Sequence, residues 1–525
     1  MEDSEARSPA AGTGLRPEAG PRKSGECQIT GAVDTAAAVP VCLEPFSGAL
    51  PPGLRFLRTT PMRPFSSAMH DSFRPLPVLA AAALLAGCAT PAPEAPAPVD
   101  FRQTIQTAEK AVFPALVYIR VVRKDLSSGK DEKGVVSGSG VVISPEGELL
   151  TNHHVIDKAE EIRCLLTDGE AYGAKVVGFD QDLDIALLRL ERAEDAPPLP
   201  FAELSPAPVE IGDVVLAMGA PWGLARSVTM GIVSCTDRYL EGAGRYTLWY
   251  QTDAAISPGN SGGPLVDTAG RVVGLNARGI IFGDQAFTIP SPTILEVLPA
   301  LRAEGNAGWA WFGFRFQPLR DFDRNMVFDA TNGVVVSGTD LGSPARKAGA
   351  KAGDRIVAVD GEPVTALTWE QMPALERLLG RIPEGTNTVF SVVRGSEALE
   401  LAFAPRAKGA VEGEEKVLPR WGFTAKEINR FDNPQLAFYA PDGGVFVSAV
   451  SWDGNAESAG IKELDILREV GGKAVSTLDD LAAVYDDAMA HLAERTRIPL
   501  VVERRGRRVP ITLNYFEDPE KEIIE

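Results

Sequence analysis

Two stretches of this chain repeat one another at a constant spacing. "GVVVSGTDLGSPARKAGAKAGDRIVAVDGEPV" begins at Gly333, and "GVFVSAVSWDGNAESAGIKELDILREVGGKAV" begins at Gly444. Gly333, Gly349, Asp354 and Gly361 recur as Gly444, Gly460, Asp465 and Gly472, each pair 111 residues apart. A block duplicated in this way must fold twice by one plan, so the C-terminal half holds two copies of one small module. Upstream of each copy stands a triplet with glycine between two aromatic residues, Phe312-Gly313-Phe314 and Trp421-Gly422-Phe423. Downstream of each, the pattern predicts an amphipathic helix opened by a capping box, Thr368 to Gln371 and Thr477 to Asp480. The modules are expected at 308–405 and 418–516, with a linker at 406–417 that contains "AKGAVEGEEK" and an acidic tail at 517–525.

The preceding segment, 101–300, has a different grammar. "ALVYIRVV", "GVVIS", "IRCLLT", "IALLRL", "VVLAMG" and "RVVGLN" are β-branched or alternating runs of strand length, separated by glycine turns. Many short strands so spaced predict a sandwich or a barrel. Phe101–Ala111 reads as a leading helix.

Within this β region "DAAISPGNSGGPL" sets Ser261 on a tight bend. A serine hydroxyl is a poor nucleophile until a base takes its proton, and histidine is the usual base. The chain has 4 histidines, and the β region holds only His153 and His154, in "LLTNHHVI". Neighbours on a turn point different ways, so one of the two can face the serine. A carboxylate is needed to orient the imidazole. Asp180, Asp182 and Asp184 lie in "DQDLDIALLRL", and Asp184 directly abuts the apolar run. The order His, Asp, Ser is that of chymotrypsin-like enzymes. The bend Pro258-Gly259-Asn260-Ser261 can aim backbone amides at an oxyanion, those of Gly259 and Ser261 with Asn260 between them.

Together these segments resemble the HtrA/Do (Deg) family of serine proteases. "GSGVVISPEGELLTNHHV" is similar to the family's histidine segment, which selects His154. "DLDIALLRL" is similar to its aspartate segment, which selects Asp184. "GAPWGLARSVTMGIVS" and "QTDAAISPGNSGGPL" resemble the serine half, and the repeats resemble PDZ domains. The resemblance implies a multidomain chain: an all-β chymotrypsin-like double β-barrel protease followed by two α+β PDZ domains. It further implies an ATP-independent endopeptidase that degrades misfolded envelope proteins, commonly as a homotrimer. The aromatic–glycine triplets would be the loops that capture a peptide's C-terminal carboxylate. In a chymotrypsin fold the S1 pocket base lies six residues before the serine, at Ala255, with Ile256 and Ile280 as walls. Such a pocket and the family both imply small or medium apolar P1 residues, unless Asp253 reaches it. Asn260 stands where trypsin-like zymogens carry a carboxylate, so activation by clipping is not expected. Three positions depart from the family: a short stretch at Lys124–Val136, Thr288 for alanine, and Leu464 before Asp465 where PDZ domains usually have glycine.

Near the start, "FRPLPVLAAAALLAGCATPAPEAPAPV" joins Arg74, a short apolar run and small residues before Cys88. These are signal-peptide features, and "LAGC" resembles a lipobox, in which the cysteine is lipidated. The expected divisions are a leader at 1–68 that is without fold or precedes the true start, a signal at 69–88 and a Pro/Ala tether at 89–100. A lipid-anchored envelope protein follows, with the outer membrane favoured because Ala89 rather than Asp follows the cysteine. Acidic residues outnumber basic ones, 71 to 52, which disfavours a nucleic-acid partner. Of the 5 cysteines, only Cys164 and Cys235 lie in folded segments, and two buried free thiols are expected. No cysteine–histidine cluster has metal-ligand spacing, and no cofactor is implied. The rival reading is a non-proteolytic polypeptide-binding chaperone or adaptor.

Overall fold

The computed structural model describes residues 100–130, 132–220, 226–279, 285–321 and 330–517. The leader, the signal with Cys88, nearly all of the tether and the pocket residue Ile280 lie outside the described residues. Asp100 caps the first helix, α1 (Phe101–Val112), by accepting from the amides of Arg102 and Gln103. Six strands follow: β1 (Leu116–Asp125), β2 (Glu132–Val142), β3 (Glu148–Thr151), β4 (Ala159–Leu165), β5 (Ala171–Asp180) and β6 (Ile185–Leu190). They close a barrel in the order β1-β2-β3-β6-β5-β4, with the one-turn helix α2 (His153–Ile156) between β3 and β4. The apolar run Ile185–Leu188 is fully buried: alternate residues face the barrel interior, and the helix Ser291–Glu304 packs against the strand from outside.

A second closed barrel has the order β10-β11-β12-β9-β8-β7. Its strands are β7 (Val214–Gly219), β8 (Ser227–Arg238), β9 (Trp249–Thr252), β10 (Pro264–Asp267), β11 (Val272–Gly279) and β12 (Ala286–Pro290). Helix α3 (Ser291–Glu304) packs on strands of both barrels. Arg302 on α3 and Arg189 on β6 share the buried carboxylate of Glu148, at 2.7 and 3.0 Å. Buried residues of both barrels, Leu149 and Leu187 in the first and Leu216 and Leu275 in the second among them, join one apolar cluster, and the candidate site lies at their seam.

The first module begins with β13 (Ala310–Trp311), β14 (Phe314–Gln317), β15 (Val334–Thr339), α4 (Pro344–Lys347), β16 (Arg355–Val359) and β17 (Glu362–Pro363). It continues with α5 (Met372–Gly380), β18 (Thr388–Arg394), β19 (Glu397–Phe403) and β20 (Arg406–Ala407). β13 pairs with β20, which leaves β14 at the edge of the main sheet. The second module contains β21 (Glu415–Leu418), β22 (Phe423–Glu427), α6 (Pro434–Tyr439), β23 (Val445–Val450), α7 (Asn455–Ser458) and β24 (Ile466–Val470). It ends with β25 (Lys473–Ala474), α8 (Leu478–Ala490), β26 (Arg497–Arg504) and β27 (Arg507–Asn514). Its sheet runs β21-β22-β23-β24-β26-β27.

The repeat now has a physical reason. Arg394 pairs with Asp354 at 2.6 Å and donates to Gly349 O at 2.8 Å. Arg504 pairs with Asp465 at 2.6 Å and donates to Gly460 O at 2.8 Å. The same buried carboxylate and glycine carbonyl receive one arginine in each copy.

Four expectations need correction. Glu415–Leu418 is a strand of the second module's sheet, not linker. Thr477 forms the capping box with Asp480, but Thr368 makes no side-chain cap, because that helix opens as a 3-10 turn, Trp369–Gln371. Cys164 and Cys235 are both free, yet only Cys164 is buried and Cys235 is half-buried. Burial pushes the Cys164 thiol up to about 12. Phe101–Ala111 extends by one residue, to Val112.

Candidate active site

β3 ends at Thr151 and Asn152 leads into α2, so the two histidines stand on the first turn of a one-turn helix. His154 Nδ1 lies 2.7 Å from Asp184 Oδ2, and the His154 amide donates to Asp184 Oδ1 at 3.0 Å. The carboxylate thus holds both ring and backbone of one residue. With Nδ1–H donating to Asp184, Nε2 is the nitrogen left to accept a proton. Asp184 adopts φ +57°, a left-handed conformation that costs a non-glycine residue about 1–2 kcal/mol. Its carbonyl accepts from Asn152 Nδ2 at 3.0 Å and from the His153 amide at 3.2 Å, which helps to offset that cost.

The competing residues are occupied elsewhere. His153 is 8% exposed with its ring 4.7 Å from that of Phe179, and burial lowers its pKa by disfavouring the charged ring. The Asp180 carboxylate accepts from the Leu183 amide at 2.8 Å and from Trp309 Nε1 at 2.7 Å. Asp182 pairs with Lys408.

Ser261 follows a β-turn in which the Asn260 amide donates to Ser257 O at 2.9 Å. Pro258 and Gly259, with φ +98° at Gly259, are the residues a type II turn favours at its two central positions. The Gly262 amide donates to Asn276 O at 2.8 Å and the Gly263 amide to Asn260 O at 3.0 Å. Of the five amides from Gly259 to Gly263, those of Gly259 and Ser261 alone carry no hydrogen bond among the described residues. The amide of Asn260, the residue between these two, closes the turn instead. The Ser261 hydroxyl donates to Ala277 O at 3.3 Å. Gly138 on β2 bridges the two halves of the site. A Cβ there would lie 2.8 Å from Val155 Cγ1, next to His154, and 3.2 Å from Ser261 O.

At the pocket, Asp253 is bonded to a strand of the second barrel. Its Oδ1 accepts from the Ile232 amide at 2.7 Å, on β8. Ala255 is exposed and its carbonyl accepts from Thr229 Oγ1 at 2.7 Å. Ile256 is half-buried against the second barrel's apolar cluster.

The two aromatic–glycine loops differ. Gly313 and Gly422 share φ +80°. In the second module, the amides of Trp421 and Gly422 both donate to Leu418 O, at 3.0 and 2.9 Å. β21 pairs with β22 along the edge that a peptide would use, and the Leu418 side chain is fully buried. Two amides of that loop, expected above to receive a carboxylate, thus already have an acceptor within the chain itself. In the first module, Arg245, from the loop between β8 and β9, reaches between β14 and α5. It donates to Phe314 O at 3.4 Å and pairs with Glu376 at 2.9 Å. Tyr246 beside it stacks on Trp309, ring centroids 4.0 Å apart. The sequence reading passed over Ser139, Asn276 and Arg245. "VSGSGVV" and "EGAGRY" carry glycines at close spacing around the first and the last, and "VVGLNARG" sets Asn276 in an apolar strand.

Residues 138–275 match the family described as the trypsin-like peptidase domain, and residues 335–394 match the PDZ domain. A DegP-like periplasmic serine endoprotease of Halomonas elongata is 32% identical over 402 residues, covering 74% of this chain and 81% of that protein. One of Brucella suis is 34% identical over 406 residues, covering 73% and 74%. The solved structure of the HtrA-type protease AlgW with a tripeptide superposes with a TM-score of 0.51 at 31% identity, covering 58% of this chain and 97% of that one. With two closed barrels, two PDZ-like sheets and relatives matched over most of their length, the chain belongs to the HtrA/DegP-like family of serine endoproteases.

Proposed function

We propose that His154, Asp184 and Ser261 are the catalytic triad of this endoprotease, and that the amides of Gly259 and Ser261 form its oxyanion hole. One observation carries the reading. The histidine is held by Asp184, on the same seam as a serine loop that keeps two amides without a partner among the described residues. In the reaction, Ser261 Oγ turns from Ala277 O toward His154 and attacks the substrate carbonyl carbon while Nε2 takes its proton. Asp184 stabilises the imidazolium, and the two amides stabilise the tetrahedral oxyanion. Collapse expels the amine, which receives the proton from Nε2. A water then repeats the sequence on the acyl-enzyme and frees Ser261. Apo catalytic hydrogen bonds often tighten only with substrate bound, which suits the present position of the hydroxyl.

Unfolded polypeptides of the cell envelope are the substrates this reading favours. Their C-termini or extended segments bind at Phe312-Gly313-Phe314. Ala255 and Ile256, with Ile280, favour small or medium apolar P1 side chains, since Asp253 is engaged by β8. A non-proteolytic chaperone would have no use for two unpartnered amides beside an oriented histidine. The resemblance supports a homotrimer. "LAGC" supports lipid on Cys88 and attachment to the outer membrane, facing the periplasm; an unmodified Cys88 in the membrane-fraction protein, read by mass spectrometry, would refute that anchor.

Casein digestion tests the triad. Ser261→Ala and His154→Ala should each lose about 10⁴-fold or more of turnover, and His153→Ala should keep most of it. A dead His153→Ala with an active His154→Ala reverses the assignment. Cleavage sites mapped in the same digest should show apolar P1; predominant Lys or Arg would mean that Asp253 reaches the pocket.

A further inference from the structure

We propose that Ser139 is a positioning residue for the oxyanion hole: its hydroxyl, reaching across from the first barrel, holds the peptide that sets the direction of the Gly259 amide. This rests on the reading of Ser261 as the nucleophile and deepens it.

Ser139 is fully buried in the middle of β2. Its hydroxyl donates to Gly259 O at 2.7 Å and accepts from the Ala220 amide, at the end of β7, at 2.8 Å. Its own amide donates to Ser261 O at 2.8 Å, and its carbonyl accepts from Thr151 Oγ1, also at 2.8 Å. One residue of the first barrel thus holds the carbonyls on both sides of Asn260, in the second. The flanking glycines explain why a serine can stand so close. A Cβ on Gly138 would meet Val155 at 2.8 Å, and one on Gly140 would meet Ile119 and Leu149 at 2.9 Å. In "GSG" only the middle residue has room for a side chain.

The peptide joining Gly259 to Asn260 is held at both ends, its carbonyl by Ser139 Oγ and its amide by Ser257 O. With that plane held, the Gly259 amide can swing only through the torsions of Gly259 itself. Glycine, with φ +98°, has alternatives of similar energy on both sides of zero. Remove the Ser139 hydroxyl, and Gly259 O loses its buried donor while Ala220 N loses its acceptor. Both groups then gain by turning toward other partners. Once the Gly259–Asn260 peptide is no longer anchored, the preceding Pro258–Gly259 peptide, which carries the Gly259 N–H, loses the fixed frame that holds that N–H at the oxyanion position. Ser261, His154 and the substrate-binding surface stay in place. The loss should therefore fall on the transition state and not on ground-state binding.

The test is steady-state hydrolysis of an internally quenched peptide with an apolar P1 residue by the full chain. Ser139→Ala should lower kcat about 10²-fold, the scale of a lost oxyanion donor, with KM within about threefold. Affinity for a peptide boronic acid, which needs the hole once bound to Ser261, should fall in step with kcat. Thermal unfolding measured in parallel must show the variant folded at the assay temperature. If it is not, Ser139→Cys, near-isosteric and a weak donor, carries the test with the same split expected. A wild-type kcat in the folded variant, or a raised KM at unchanged kcat, overturns the proposal. Ser261→Ala in the same assay separates the two claims. Turnover that survives it refutes the nucleophile; a dead Ser261→Ala beside a fully active Ser139→Ala refutes only the role of Ser139.

Discussion

Asp180 shows how closely a structural carboxylate can sit to the one proposed for catalysis while serving the opposite end. It lies four residues before Asp184 in the chain and is 5% exposed. Burial, and secondly the charge of Asp182, push its carboxyl up to about 6, while Asp184 is tied to an imidazole. The sign of the effect on stability follows. The folded pKa lies above the unfolded value of about 3.9, so the folded state binds the proton more tightly. Stability from this group is fully present below about 4 and is lost as pH rises to about 6 and beyond. Trp309 Nε1 and the Leu183 amide keep donating to it, which limits the loss. Denaturant midpoints from pH 4 to 7 should fall less steeply with rising pH in Asp180→Asn than in the parent. An unchanged slope would mean that the carboxyl titrates normally. In the sequence, Asp184 stood out from Asp180 and Asp182 only because it abuts the apolar run. What separates the three physically is tertiary: a tryptophan and a lysine, 129 and 226 residues away in the chain, take up the other two.

At the level of elements, the local patterns carried much of the fold. β6 and β7 were readable because strands buried on both faces are nearly unbroken apolar runs. The nucleophile loop was readable because glycine and proline punctuate it. β21 was not, because "EGEEK" and the glycines before it read as a charged linker, and only pairing with β22 makes a strand of Glu415–Leu418. The Ser139 network was hidden for a related reason: its partners are main-chain atoms of a loop 120 residues on, and backbone acceptors leave no trace in residue identity. Leu464 was legible as a departure, and the structure gives its meaning. It has φ +67° and is 51% exposed, so the second copy keeps the left-handed turn but has a side chain there. Its glycine counterpart in the first copy, Gly353, has φ +89°.

Across the described residues, polar contacts join the protease to both modules and to the segment between them. Lys408 reaches Asp182, Gln181 Nε2 donates to Glu412 at 3.0 Å, and Lys158 pairs with Glu415. Thr424 Oγ1, on β22, donates to Leu126 O in the β1–β2 turn at 2.9 Å, so the short stretch after β1 is where the second module docks. The modules are held against the turn that bears Asp184, and they are not equal as receptors. In the first, the groove between β14 and α5 is narrowed by two side chains, Arg245 and the buried Tyr246, and β14 ends its sheet with no strand beyond it among the described residues. In the second, a whole strand is seated, with Leu418 buried and its carbonyl on the loop's two amides. Displacing a strand means giving up its ladder as well as an apolar side chain, about 1.5–3 kcal/mol for the side chain alone. A free C-terminus should therefore bind the first module and not the second. Titrating Ser261→Ala chain with a fluorescent peptide that ends in an apolar residue should give one carboxylate-dependent site per chain. The same peptide with an amidated end supplies the subtraction. Adding Leu418→Asp places a charge where none can be solvated, unseats β21 and should raise the count to two. Two sites with Leu418 intact would mean that β21 leaves its groove readily and that the second module is an open receptor.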